Sequence, residues 1–314
     1  MAGFHLIRGV MHYTKPALTF EQQAQRLLDR GLVGIGKNAL AKQLTMVNYY
    51  RLSAYWYPFK RIDPNNGNEH FATGTTFNQI WKRYTFDRRL RLLIMDAIEY
   101  FEVAILRTRM VEQFTLLHGP FGYCDINSYG SGFAQNEFAV LMDDINEAVS
   151  RSNEEFVTRF QQKYSSEPHL PLWMVVEVLT YGQLFTMFRH VDWQEQKQIA
   201  QVYDLYPPVL NSWLKTLNYV RNACAHHSRL WNRELPIRPI IPNQKNSPEF
   251  YLPQIVDNHR IYSVLTLLRY MLRYINPDCD WQTRLESLLQ EYPYIPISSM
   301  GFPTNWGASP IWRK

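Results

Sequence analysis

The segment Arg221-Asn222-Ala223-Cys224-Ala225-His226 holds the residue types that metal-independent RNA cleavage needs. That reaction asks for a base to activate a ribose 2′-hydroxyl, an acid to protonate the leaving 5′-oxygen, and a cation for the charge developing on the phosphate. On a helix Asn222 and His226 stand four apart and share a face, which lets Asn222 orient the imidazole. Arg221 and His226 stand five apart, about 140° around the helix, and cannot both point squarely at one phosphate from a straight helix. Either the helix bends, or the groove lies between two helices that each supply a copy. The spacing itself carries little weight, since chance supplies about 0.7 Arg-x-x-x-x-His matches in such a composition. The clustering carries more: Arg221, Asn222, His226, His227 and Arg229 fall within nine residues. Cutting RNA, gripping phosphate and capping a basic helix end all stay open on residue types alone.

An amphipathic helix must deliver that segment. Pro207-Pro208 can start one, and Val209, Leu210, Trp213, Leu214, Leu217, Val220 and Cys224 form its apolar stripe. From Phe77 a long helix is predicted, with Leu90, Leu93, Ile94, Ala97, Ile98, Phe101, Ala104 and Ile105 at helical spacing. It ends at Gly119-Pro120. Further helices are expected over 134–164, 172–190 and 257–275, the last with Arg269 and Arg273 four apart. The tail after Tyr292 reads as an irregular strap. Near the N-terminus Thr19 caps a helix over 22–30, a second covers 37–48, and an aromatic run follows over 49–59. Turn chemistry at 63–68 marks the internal boundary, giving a small helical portion over 1–70 and a bundle over 71–314. No sheet is evident, so the fold class is all-α.

Composition narrows the class further. The chain has 314 residues, 46% hydrophobic and 19% charged, which is globular and not disordered. A net charge of +5 is compatible with a phosphate-bearing partner. Three cysteines without close spacing argue against a disulfide framework and for a reducing cytoplasm. The first thirteen residues lack a signal peptide's apolar core. The stretch 90–106 contains Asp96, Glu99 and Glu102, so it is not a membrane span.

Other residues have two readings each. His227 is a phosphate contact or a surface histidine. With Cys224 it does not make a metal site, because no second ligand cluster accompanies them. Glu177 sits in an otherwise apolar run, so it is expected either to pair with Arg221 or Arg107, or to lie on an exposed face. Glu102 and Arg107 line the cleft or are merely solvated. Arg88, Arg229, Arg269 and Arg273 are candidate phosphate contacts. Tyr49, Tyr50, Tyr55, Trp56 and Tyr57 either stack bases or pack on the bundle.

The sequence resembles the Abi-like family of bacterial abortive-infection proteins, the AbiD/AbiF group, whose core belongs to the HEPN superfamily. The matching stretches are 49–59, 86–91 with Ala97-Ile98-Glu99, 170–179 and 220–233, together with Met300-Gly301-Phe302-Pro303 and Trp306. The resemblance implies a HEPN-like bundle carrying the Arg-polar-x-x-x-His endoribonuclease motif, here Arg221, Asn222 and His226. Such motifs normally combine in pairs within one cleft, so a homodimer is expected. Anti-phage defence by growth arrest is implied, with no cofactor and with 2′,3′-cyclic phosphate products. RNA is the expected partner, as substrate and as a structured noncoding regulator. Two alternatives stand beside this: a HEPN-like protein that binds RNA without cutting, and an interaction partner for a nucleotidyltransferase.

Overall fold

The computed structural model describes residues 16–313, so the reading of the first thirteen residues lies outside the described part. The fold is all-α apart from one short hairpin. Contacts divide the chain into two units, one ending at Thr85 and one beginning at Phe86.

In the first unit, α1 (Phe20–Asp29) opens on a capping box. Thr19 Oγ accepts the Gln22 N–H, and the Gln22 side chain accepts the Thr19 N–H. Its buried Ala24 and Leu27 pack against α2 (Lys37–Met46), which buries Leu40, Ala41 and Leu44. The aromatic run folds as α3 (Tyr49–Trp56), started by Asn48, whose side chain accepts the Tyr50 N–H at 2.7 Å. Residues 63–68 turn a hairpin between β1 (Lys60–Ile62) and β2 (Glu69–Phe71), with Arg61 opposite His70. This is a small departure from the sheetless expectation. Strands of three residues are too short to show alternation.

Helix α4 (Phe77–Phe101) carries the chain from the first unit into the second. Residues Glu102–Arg109 then wind as a π-helix before α5 (Met110–His118), which Gly119 stops with φ +76°. The span 134–164 holds two helices, α6 (Gln135–Arg151) and α7 (Glu155–Lys163), parted where Ser152 Oγ accepts the Glu154 N–H. The span 172–190 likewise divides into α8 (Leu172–Val178) and α9 (Tyr181–His190), because Thr180 and Gln183 form a second capping box. After α10 (Trp193–Gln201) comes α11 (Pro207–Ala225), with the predicted stripe buried.

Helix α12 (Ile261–Ile275) is buried nearly all round over its first twelve residues, which makes it the central helix of this unit. After it come α13 (Trp281–Glu291) and a tail of short 3₁₀ turns. Trp281 donates to the Leu93 carbonyl of α4, and the buried Trp312 donates to Thr266 of α12. No helix among the described residues is long and apolar enough to cross a membrane.

Candidate functional site

Helix α11 ends in a hydrogen-bonded cap that fixes the histidines. The His227 N–H donates to the Cys224 carbonyl and the Ser228 N–H to that of Ala223, the paired bonds of a Schellman motif. The motif needs a left-handed residue, and here it is His227 with φ +54° where glycine is usual. His226, at the cap, has an exposed imidazole that makes no hydrogen bond or ion pair among the described residues.

The loop after the cap is held from below by a buried carboxylate. Asp87 of α4 is 0% exposed and accepts the backbone N–H of Trp231 at 2.7 Å and of Leu230 at 3.1 Å. Arg91, one turn further on and 5% exposed, pairs with Asp87 and also donates to the Ser228 carbonyl. Asp87 and Arg91 therefore set the path of 228–231, and through it the direction in which His226 and His227 leave the helix. Cys224 lies against the same pair, and burial pushes its thiol up to about 12. The sequence reading gave these residues no role. An aspartate among Arg88, Arg89 and Arg91 looks like ordinary helix-surface charge.

Arg221 is half-buried on the side of α11 that faces α9. Its guanidinium makes no hydrogen bond or ion pair among the described residues. Its electrostatic neighbour is the buried Tyr181, whose hydroxyl donates to the Leu214 carbonyl. Burial, and then the Glu102 carboxylate, raise the Tyr181 phenol well above its ordinary value, while Arg221 opposes them. Glu102 in turn pairs with Arg107, which also donates to the Val176 and Leu179 carbonyls at the end of α8. The π-helix makes this pairing possible. Residues five apart diverge by about 140° on an α-helix, but i→i+5 winding brings them nearly into line.

Arg221 of α11 and Glu102 of the π-helix therefore both act on Tyr181, and the end of α11 presents His226, His227 and Arg229. Asn222 is exposed, and its amide donates to Asn218 at 3.5 Å, back along the helix and not forward to His226. Glu177 is exposed and pairs with neither Arg221 nor Arg107. It shares a surface cleft with Asp144, Glu147, Arg151 and Glu154. Arg88 is exposed, one residue from the Asp87 anchor.

Arg269 and Arg273 lie elsewhere. Tyr270 of α12 touches Trp213 near the start of α11, so this pair sits roughly 20 Å along α11 from His226, at 1.5 Å per residue. Arg273 donates to the Pro310 carbonyl of the tail, and burial lowers the Arg269 guanidinium. Among the described residues no three His, Cys, Asp or Glu side chains gather as a metal site.

This is a helical protein whose chemistry-bearing residues collect at one helix end, braced by a buried acid–arginine pair. Residues 42–232 match the family model described as Abi-like protein, and the chain belongs to that family. The match is more than half of the chain and takes in both Asp87 and the whole α11 cap. The chain matches no curated protein and no solved structure.

Proposed function

We propose that this protein is an endoribonuclease of the HEPN type, acting in abortive infection as an anti-phage toxin and cutting RNA without a metal ion. One observation carries the reading: Arg221 is a half-buried guanidinium with no hydrogen-bond or ion-pair partner among the described residues, and five residues further on His226 is an exposed imidazole with none there either. A desolvated cation without an anion is costly, so proteins ordinarily supply the anion. A phosphodiester supplies it here.

In this reading His226 takes the proton of the 2′-hydroxyl as that oxygen attacks phosphorus, and Arg221 balances the charge gathering on the phosphate. The P–O5′ bond breaks, and a second imidazole returns a proton to the 5′-oxygen. The products are a 2′,3′-cyclic phosphate and a 5′-hydroxyl. Asn222 positions. His227, Arg229 and Arg88 hold flanking phosphates, while Glu102 and Arg107 brace the Tyr181 wall against which Arg221 lies. Arg273, engaged by the tail, and Arg269, partly buried beside it, enter only as contacts for a longer RNA.

A second reading is favoured by the Asn222 side chain, which leaves His226 without an orienting partner within one chain. On that reading the protein grips RNA and does not cut it. One experiment separates the two. Purified protein is incubated with single-stranded RNA in EDTA and the product ends are analysed, beside His226→Ala. Cleavage is expected, with a loss of about 10²–10⁴-fold in the variant. Strict dependence on added Mg²⁺ or Mn²⁺ sinks the metal-independent mechanism, and binding without cleavage selects the second reading.

A further inference from the structure

The positive charge of the described residues is concentrated in the first unit. Residues 16–85 contain nine Lys and Arg against four Asp and Glu, whereas residues 86–313 contain 21 against 24. The first unit is therefore +5 and the second −3. An RNA-binding protein takes most of its affinity from phosphate contacts, and the second unit is poorly supplied with them overall.

The first unit has a cleft suited to the task. It has a volume of about 580 Å³ and is lined by Arg26, Arg30, Tyr49, Tyr50, Tyr57 and Lys60. That is the size class of a site for a ligand as large as a nucleotide. Tyr50 is 86% exposed and Tyr57 is 69% exposed. Arg30 donates to the Tyr49 hydroxyl at 3.1 Å and pairs with Glu69 at 3.0 Å. Lys60, also paired with Glu69, lies 5.9 Å from the centre of the Tyr57 ring. The Arg26 guanidinium makes no hydrogen bond or ion pair among the described residues.

Uncovered rings next to cations form a stacking platform with a phosphate track, the chemistry that recognises an unpaired strand. A membrane surface would ask instead for a projecting apolar face, and these rings end in hydroxyls and wall a concavity. We propose that this cleft binds single-stranded RNA, with bases stacked on Tyr50 and Tyr57 and the backbone held by Arg26, Arg30 and Lys60. The inference rests on the ribonuclease reading only for its choice of RNA.

The test uses the full chain carrying His226→Ala, so that bound RNA is not cut. Anisotropy of a fluorescent single-stranded 20-mer, longer than a typical site of about 4–16 nucleotides, is followed against salt, for this parent, for Tyr50→Ala with Tyr57→Ala, and for Arg26→Glu. Circular dichroism checks that each variant folds. The paired tyrosine variant is expected to bind at least about tenfold more weakly. Arg26→Glu is expected to flatten the log–log salt slope by about 0.7.

Parental affinity in the cleft variants overturns the proposal. So does a parent that binds phosphatidylserine vesicles and not RNA. Loss of binding in the cleft variants, when the wild-type chain never cuts RNA, supports the cleft and defeats the nuclease. Cutting by the wild-type chain, with cleft variants that bind like the parent, does the reverse.

Discussion

The carboxylate of Asp87 accepts the backbone N–H of Trp231 at 2.7 Å, joining residues 144 apart in sequence. Two helices meet through this bond, because Asp87 belongs to α4 and Trp231 follows the cap of α11. A buried carboxylate persists only when its desolvation is offset, and here two backbone N–H groups and Arg91 offset it. The path of the loop that carries the histidines is thereby tied to one side chain.

Replacing Asp87 by alanine strands the Arg91 charge and two buried N–H groups. The expected cost is about 3–5 kcal/mol, the range for removing one partner of a buried pair. Urea unfolding of Asp87→Ala measures it. Arg91→Met is expected to cost less, since both N–H bonds to Asp87 survive and the methionine fills apolar volume. RNA cleavage by folded Asp87→Ala is expected to fall as well, because His226 loses its fixed direction. A loss below 1 kcal/mol would show that the loop is held by its buried Leu230 and Trp231 alone.

His227 occupies a left-handed conformation that glycine adopts freely. His227→Gly is therefore expected to raise stability by roughly 0.5–1 kcal/mol. If His227 also contacts phosphate, the same variant binds RNA more weakly. Denaturant titration and RNA affinity on one preparation separate the two effects. Unchanged or lower stability would mean that the imidazole's own contacts outweigh the backbone strain.

Much of this was legible in the sequence. The period of α11 placed its stripe, and Pro207 and Thr19 marked true helix starts, because these signals are local. What the period could not reach was non-local or non-standard. A strict 3.6-residue count separates Glu102 from Arg107, and only the π-helix brings them together. The apolar neighbours of Glu177 leave a buried pair and an exposed face both open, and on the short α8 Val175 and Val176 turn inward while Glu177 turns out. Helices α10 and α13 escaped notice, since each is short and flanked by polar residues. Asp87 and Arg91 stand four apart, as an ordinary surface pair on a helix would. What makes the pair an anchor is the backbone of Leu230 and Trp231, which no side-chain pattern reveals.

Burial raises the Cys224 thiol to about 12 from an ordinary 9.0, and raises the phenols of Tyr203, Tyr262 and Tyr270 above their ordinary 10.0. Below about pH 8 all four groups are protonated in folded and unfolded chains alike. Above it the unfolded chain loses the thiol proton first and then the phenolic ones, so folding weakens by up to about 1.4 kcal/mol per pH unit for each group titrating. Stability is therefore expected to hold flat to about pH 8 and fall with increasing slope beyond it. A thiol reagent at pH 8 is expected to reach Cys279 and Cys124 before Cys224, which should react only on unfolding. Equal labelling rates would show that the underside of the α11 cap opens readily.

The active form is expected to be a homodimer with two α11 ends facing across one cleft. One copy is incomplete on geometric grounds. Arg221 turns toward Tyr181, His226 projects from the cap, and Asn222 bonds back to Asn218, so a single chain presents one imidazole without an orienting partner. The exposed stripe of α11 runs through Lys215, Asn222, Ala225 and His226, polar and with one small residue where a second helix can approach. Trp231, just beyond the cap, is 2% exposed and belongs to the core of its own chain, so it is no part of such a contact. A two-fold axis beside Ala225 supplies the second histidine and arginine without new sequence, and two-fold dimers are the commonest oligomers. Co-expressing an Arg221→Ala chain with a His226→Ala chain is expected to give more cleavage than either alone, because mixed dimers reunite one arginine with one histidine. Ala225→Arg is expected to shift sedimentation toward monomer and to abolish cleavage together. A wild-type chain that sediments as a monomer at nanomolar concentration, and cuts RNA at full rate there, would leave the shared cleft without support.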